Sequence, residues 1–159
     1  MKQTLLLIIT TLFSLHSMAQ DLPTTTLTDI NGHHTTFADM QPAGRPMIIL
    51  FYATWCKPAI NMLNTIGKQY ATWQRTTGVK VVVVSIDKEA DLDKLRTNMK
   101  QAPWCNDVIV DSKGDVKRAM AVQMIPHLFV VGPDGNIVKS HRGYSDGIDD
   151  LLLNTLKTL

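Results

Sequence analysis

Two segments constrain the fold of this chain more than any other feature of its sequence. Residues 47 to 53 are continuously apolar, and residues 79 to 86 form the segment richest in β-branched side chains. A strand that is apolar along its whole length is typical of a sheet covered on both faces, because an exposed face would need polar residues at alternate positions. Helical patterns follow at 58 to 75 and at 89 to 101. The sequence therefore predicts an α/β sheet with helices on both faces.

Shorter elements complete the predicted sheet. Asn31-Gly32 predicts a turn between two short strands, at 24 to 28 and 33 to 37. A second turn is predicted for the sequence PDGN at 133 to 136, between antiparallel strands. The other predicted elements are a strand at 108 to 110, a helix at 115 to 122, strands at 128 to 131 and 137 to 141, and a helix at 146 to 159. Because we find no repeats and no long linker, we expect residues 20 to 159 to form one domain.

The first nineteen residues are predicted to be a secretory signal peptide. Lys2 supplies the positive end, residues 5 to 15 are mostly apolar, and Ser17-Met18-Ala19 is a small-x-small cleavage site before Gln20. The apolar run is shorter than the roughly 20 residues that span a bilayer, which disfavours the alternative of a membrane anchor. We therefore expect an exported protein, periplasmic or secreted, that works in an oxidising compartment.

Composition excludes several classes of function. The chain has 16 Lys and Arg against 14 Asp and Glu, a formal net charge of +2, which gives no reason to expect nucleic acid as a partner. Its 2 cysteines cannot form a disulfide scaffold, and no Cys/His spacing is typical of a zinc site. We therefore expect neither a metal nor a cofactor.

Cys56 is the residue best placed for chemistry. It lies between the strand predicted at 47 to 53 and the helix that begins at Pro58. The unpaired N–H groups and the positive dipole end of a helix N-terminus favour a thiolate over a thiol, and Lys57 adds a cation beside it. The alternative is a buried structural cysteine, which is the commoner kind. The strand-to-helix position, between Trp55 and Pro58, favours a nucleophile.

The segment FYATWCKP at 51 to 58 resembles the active-site stretch of the thioredoxin superfamily, and more closely that of the exported TlpA/ResA-like thiol–disulfide oxidoreductases. The resemblance covers residues 22 to 159. It extends to Asn31-Gly32, TFAD at 36 to 39, VVVSID at 82 to 87, the inserted helix and strand ending at Asp111, Ile125-Pro126 and PDGN at 133 to 136.

That resemblance implies a thioredoxin-like fold, which is a central mixed β-sheet flanked by helices on both faces, with an N-terminal β-hairpin and a helix–strand insertion. It also implies that Ile125-Pro126 is a cis-proline loop facing Cys56, where the backbone of Ile125 would bind an extended peptide. The implied partners are proteins that carry a disulfide or a thiol, and a membrane-bound or exported redox partner.

The chain departs from the family at the second cysteine of the Cys-x-x-Cys pattern. That position is Ala59, which cannot resolve a mixed disulfide. An acidic residue and a proline found nearby in the TlpA/ResA-like group are Met62 and Asn64 here. Ala59 is compatible with natural divergence and with a substitution made to trap intermediates, and the changes at Met62 and Asn64 favour natural divergence.

Two functions of different classes stay open. In the first, Cys56 is the single nucleophile of a thiol–disulfide oxidoreductase, and an external or substrate thiol releases the mixed disulfide. In the second, the groove of Trp55 and Pro126 binds peptides without turnover, on a catalytically degenerate fold. The retention of Cys56 and of Ile125-Pro126 favours the oxidoreductase.

A peroxidase is not expected. In peroxiredoxins the third residue before the reactive cysteine is Thr or Ser, and the seventh is Pro. The corresponding residues here are Ala53 and Ile49.

Cys105 and His127 are not expected to take part in the reaction at Cys56. In the resembled fold the strand after Cys105 runs parallel to its neighbour, so Cys105 should be a semi-buried free thiol at the end of the sheet away from Cys56. His127 follows Pro126, where the family often has Thr. Of two alternatives, an ion pair with Cys56 and a satisfied core histidine, we favour the second.

Overall fold

The computed structural model describes residues 21 to 159, so the predicted signal peptide at 1 to 19 lies outside the described residues. The strands are β1 (Leu27–Thr28), β2 (His34–Thr35), β3 (Met47–Tyr52), β4 (Lys80–Ser85), β5 (Asp107–Val110), β6 (His127–Val131) and β7 (Ile137–Arg142). The α-helices are α1 (Phe37–Met40), α2 (Lys57–Thr77), α3 (Leu92–Lys100), α4 (Asp115–Ala119) and α5 (Ile148–Leu156), and a 3₁₀ turn at Glu89–Asp91 precedes α3.

The central sheet is mixed, and its strand order is β5-β4-β3-β6-β7. Strands β3, β4 and β5 are parallel, whereas β6 runs antiparallel to β3 and β7 antiparallel to β6. The last residue of β3, Tyr52, pairs with the last residue of β4, Ser85. The segments that follow β3 and β4 therefore start side by side, at the C-terminal end of these two strands.

Alternate residues of β3 pack on opposite faces of the sheet, as period-two strand geometry requires. One face packs Ile48, Leu50 and Tyr52 against helices α2, α3 and α5, and the other packs Met47, Ile49 and Phe51 against α1 and α4. Since both faces are covered, β3 is buried along its whole length. This confirms the thioredoxin-like α/β architecture. The N-terminal hairpin is also present, as the antiparallel pair β1-β2.

The N-terminal region differs from the expected pair of longer strands. Phe37 begins the short helix α1 instead of ending a strand. The hydroxyl of Thr36 accepts a hydrogen bond from Asp39 N at 3.1 Å and donates to Asp39 Oδ2 at 2.7 Å, so Thr36 is an N-cap that starts a helix. Phe37 is then fully buried against the sheet.

Several helices also differ at their ends: α3 follows a 3₁₀ turn and begins at Leu92 instead of 89, and α4 ends at Ala119 instead of 122. Helix α2 continues to Thr77 and stops where Gly78 adopts a left-handed conformation with φ 70°, and α5 is shorter than expected, at Ile148–Leu156. Within residues 21 to 159, none of the helices combines the length and the apolar character needed to cross a membrane.

Candidate active site

A tight turn carries the chain from β3 into α2 and ends at Cys56. The turn closes through a hydrogen bond from Cys56 N to Ala53 O, 3.1 Å long. Cys56 is the N-cap of α2, with extended backbone angles and no capping bond from its side chain, and Pro58 occupies the first turn, where no N–H is needed. The thiol therefore lies at the positive end of a helix of 21 residues.

The thiol of Cys56 faces the loop that precedes β6. Its Sγ lies 3.7 Å from the carbonyl oxygen of Ile125, to which it donates, and the Ile125–Pro126 peptide bond is cis. Cys56 is 7% exposed, whereas Trp55 before it is 62% exposed and Met124 is 55% exposed. The structure thus brings Cys56 and the Ile125-Pro126 loop together, beside exposed apolar residues on both segments.

The position at which the resemblance leads one to expect a second cysteine, Ala59, is packed and apolar. Ala59 and Met62 are both fully buried and belong to the same core cluster as Cys56. Lys57, by contrast, is exposed. Asn64 is also exposed, and α2 passes through it as one continuous helix. Among residues 21 to 159, Cys56 carries the only thiol at the start of this helix.

Cys105 lies at the opposite end of the parallel strands from Cys56. Its Sγ is 4.0 Å from the carbonyl oxygen of Val81, near the start of β4, whereas Cys56 follows the end of β3. Within the described part of the chain both cysteines are free. Burial, together with the negative charge of Asp107, raises the pKa of Cys105 to about 12. The expectation of a remote free thiol is confirmed, although Cys105 is buried rather than semi-buried.

His127 is a core residue on the face of the sheet opposite α2. Its ring stacks on Phe129 with centroids 4.3 Å apart, and its Nε2 lies 2.7 Å from Ser140 Oγ. Burial lowers the pKa of His127, and the charges of Arg142 and His141 lower it further. Among the described residues Nδ1 has no hydrogen-bond partner. His127 is therefore a buried core histidine that is satisfied at one nitrogen only.

A buried carboxylate, Asp87, adjoins the turn that carries Cys56. Thr54 N donates to both of its oxygens, at 3.1 and 3.0 Å. The hydroxyls of Thr54 and Ser85 each donate to it at 2.7 Å. This contact was not predicted from the sequence. One sequence feature could have indicated it. Thr54 and Asp87 are polar residues that follow two apolar strands, and the C-terminal ends of these strands lie side by side.

Alkylation should separate the two thiols. We expect Cys56 to react with iodoacetamide much faster than Cys105 at pH 7, because a thiol with a pKa of about 12 is ionised to roughly one part in 10⁵ there. Since the pKa of Cys105 is raised, its rate should rise about tenfold per pH unit until the pH approaches that value. Peptide mapping after timed alkylation measures both rates, and faster modification of Cys105 at neutral pH would show that the site is misassigned.

Comparisons with known proteins find relatives of this chain. Residues 18 to 140 match the model of the AhpC/TSA family. The chain is 27% identical over 123 residues to the thiol-disulfide oxidoreductase ResA of Bacillus subtilis, a match that covers 77% of this chain and 66% of that protein. The chain thus spans slightly less than two thirds of the length of this relative.

Solved structures show the same architecture. An uncharacterized thioredoxin-like protein from Porphyromonas gingivalis is 39% identical, with a TM-score of 0.76, over 89% of this chain and 92% of that one. A putative thiol:disulfide interchange protein DsbE from Chlorobium tepidum superposes with a TM-score of 0.71 at 22% identity, over 87% of this chain and 96% of that one. At 22% identity, the similarity to the Chlorobium tepidum structure shows a shared fold and nothing further.

Proposed function

The chain belongs to the AhpC/TSA family of thioredoxin-like proteins, and we propose that it is an exported thiol–disulfide oxidoreductase that acts through Cys56 alone. The observation that carries this proposal is the placement of the Cys56 sulfur at the N-terminus of α2, 3.7 Å from the Ile125 carbonyl. The thiolate is the form that attacks disulfides, and a helix N-terminus is a favourable place for an anion. ResA of Bacillus subtilis, which is named a thiol-disulfide oxidoreductase, supports the assignment.

The proposed reaction has two thiol–disulfide exchanges. The Cys56 thiolate attacks one sulfur of a substrate disulfide and forms a mixed disulfide, and the other substrate sulfur leaves as a thiolate and takes a proton from solvent. A second thiol, either a neighbouring one in the substrate or an external one, loses its proton to solvent and attacks the substrate sulfur of the mixed disulfide as a thiolate. That step forms a new disulfide and returns Cys56 as the thiolate. Ala59 has no sulfur, so release depends on a thiol from outside the site.

The surroundings of Cys56 suit a protein substrate in an extended conformation. Ile125 is half-buried at the edge of the loop that faces the thiol, and its backbone can hydrogen-bond to an added strand. Trp55 and Met124 are the large exposed apolar side chains next to Cys56 and Ile125. A segment that presents its disulfide to Cys56 would contact apolar surface on both sides.

The complete burial of Ala59 and Met62 favours a second candidate, a module that binds peptides without turnover. An apolar wall behind the thiol supplies neither a resolving sulfur nor an acid. The deciding experiment incubates the fully reduced protein with insulin, a model protein disulfide, and separates the products without reductant. We expect a covalent adduct that dithiothreitol removes, and the binding module predicts that none forms.

Export is also part of the proposal. It is supported by the positive residue, the short apolar run and the Ser17-Met18-Ala19 cleavage site of the predicted signal peptide. We expect the mature protein recovered from an expressing cell to begin at Gln20 or a neighbouring residue, as measured by intact mass. Material that keeps residues 1 to 19 and sediments with membranes would contradict this prediction.

A further inference from the structure

The turn that presents Cys56 contains a backbone N–H group that water does not reach. The bond from Cys56 N to Ala53 O closes the turn around Thr54 and Trp55, and it leaves Thr54 N without a partner inside the turn. Thr54 is 5% exposed. Because a buried N–H must be paired within the protein, the turn keeps this shape only if another segment supplies an acceptor.

Asp87 supplies that acceptor, and most of its hydrogen bonds lead to the turn. Its two carboxylate oxygens share Thr54 N, and Oδ1 also accepts from the Thr54 hydroxyl. The remaining side-chain bond comes from Ser85, at the end of β4. Asp87 is fully buried, and none of the ion pairs among residues 21 to 159 includes it. A buried carboxylate without a cation is costly, so hydrogen bonds from the turn must stabilise it.

A second contact joins the same two segments. Ile86 N donates to Tyr52 O at 2.9 Å, so the residues after β4 are bonded both to the end of β3 and, through Asp87, to the turn that follows it. The electrostatics agree with this closeness. Burial raises the pKa of Tyr52, a hydrogen bond from Asn98 lowers it, and the negative charges of Asp87 and Cys56 raise it further. Both charges thus act on one hydroxyl group.

We propose that Asp87 is a positioning residue for Cys56: through Thr54 it fixes the turn from Ala53 to Cys56 and so directs the thiol toward the Ile125 loop and an approaching disulfide. The inference rests on the proposed function for its purpose, whereas the contact itself is independent of it. Asp87 does not touch the reacting sulfur. Its effect should therefore appear in the reactivity of the ionised thiol.

The test compares variants by the rate at which Cys56 reacts with 5,5′-dithiobis(2-nitrobenzoate), a small aromatic disulfide. The rate is followed against pH, and plateau values are compared, since there Cys56 is ionised in every variant. Asp87→Asn keeps the shape of the side chain but has a single oxygen to accept from the turn. We expect its plateau rate to fall by roughly ten- to a hundredfold, the usual effect of a misplaced reacting group.

The chain offers a matched control in Asp111, a second buried carboxylate. It is 5% exposed, and it accepts from Val116 N at 3.1 Å and Lys117 N at 2.8 Å, at the start of α4. Asp111→Asn should lower the free energy of unfolding, measured in urea, while its plateau rate stays within about twofold of the unaltered protein. Equal slowing in both variants would overturn the proposal, because loss of stability alone would then explain it.

Thr54 provides a second pair of variants in case Asp87→Asn does not fold. Thr54→Val removes the hydroxyl donor and keeps both backbone bonds, so we expect a smaller fall of several fold, and Thr54→Ser should restore most of that loss. An unchanged rate in Thr54→Val or in folded Asp87→Asn would overturn the proposal. The aromatic disulfide reports on the thiol even if no adduct forms with insulin, so failure of the proposed function is distinguishable from failure of this inference.

Discussion

Replacing Cys56 with serine is expected to abolish the disulfide-linked adducts that the reduced protein forms with insulin. A serine hydroxyl nearly preserves the volume of the thiol in its 7% exposed position, but it forms no disulfide. The remaining thiol, Cys105, cannot replace it. It is buried at the opposite end of the parallel strands, and its pKa of about 12 keeps the reactive thiolate scarce at neutral pH. We therefore expect adduct formation to fall to background on non-reducing gels and by intact mass.

The matched control is Cys105→Ala, which removes the other thiol and leaves the turn at Cys56 untouched. Its adducts should form at the unaltered rate and last as long as those of the unaltered protein, because neither has a resolving thiol at Ala59. If the same adducts appeared in Cys56→Ser, capture would not depend on the proposed nucleophile. Loss of those adducts in a double variant, Cys56→Ser with Cys105→Ala, would then identify Cys105 as their source, and their survival would show non-specific capture.

The sequence predicted those parts of the fold and site that depend on local pattern. The apolar run of β3 followed by Trp55-Cys56-Lys57-Pro58 fixes a buried strand that enters a helix, and the structure places Cys56 at that junction. Phe37 shows where a local pattern misleads. Its strand-like neighbours suggested that the second strand of the hairpin continues to 37, but the cap at Thr36 starts a helix there.

Contacts between distant segments could not be predicted in the same way. Thr54 and Asp87 are 33 positions apart, and each alone resembles an ordinary polar residue at the end of a strand. Only the parallel register, which sets Tyr52 beside Ser85, brings both into the interior. The contacts of His127 could not be predicted either, because its position after Pro126 does not reveal on which side of the sheet its ring lies.

Replacing Ala59 with cysteine is expected to convert a stoichiometric site into one that turns over. Ala59 lies in the first turn of α2, three positions after Cys56, and the bond from Ile60 N to Cys56 O at 3.1 Å shows that the helix is already formed there. The introduced thiol can thus attack the mixed disulfide at Cys56 and release the reduced substrate. With dithiothreitol as the terminal reductant, we expect the variant to reduce insulin beyond its uncatalysed rate, whereas the unaltered chain should be slow.

Turnover by Ala59→Cys should be restored only in part. Ala59→Ser is the control that attributes any gain in turnover to the introduced thiol. Met62 is fully buried where the TlpA/ResA-like group has an acid, so the proton-transfer assistance that is typically worth roughly 10²–10⁴-fold stays absent. Ala59→Ser adds an atom to the same buried position without a thiol, and it should therefore disturb packing similarly but gain no turnover. If Ala59→Cys folds, forms its bond to Cys56 and still gives no turnover, the groove no longer supports exchange, and the binding module becomes the better account of this site.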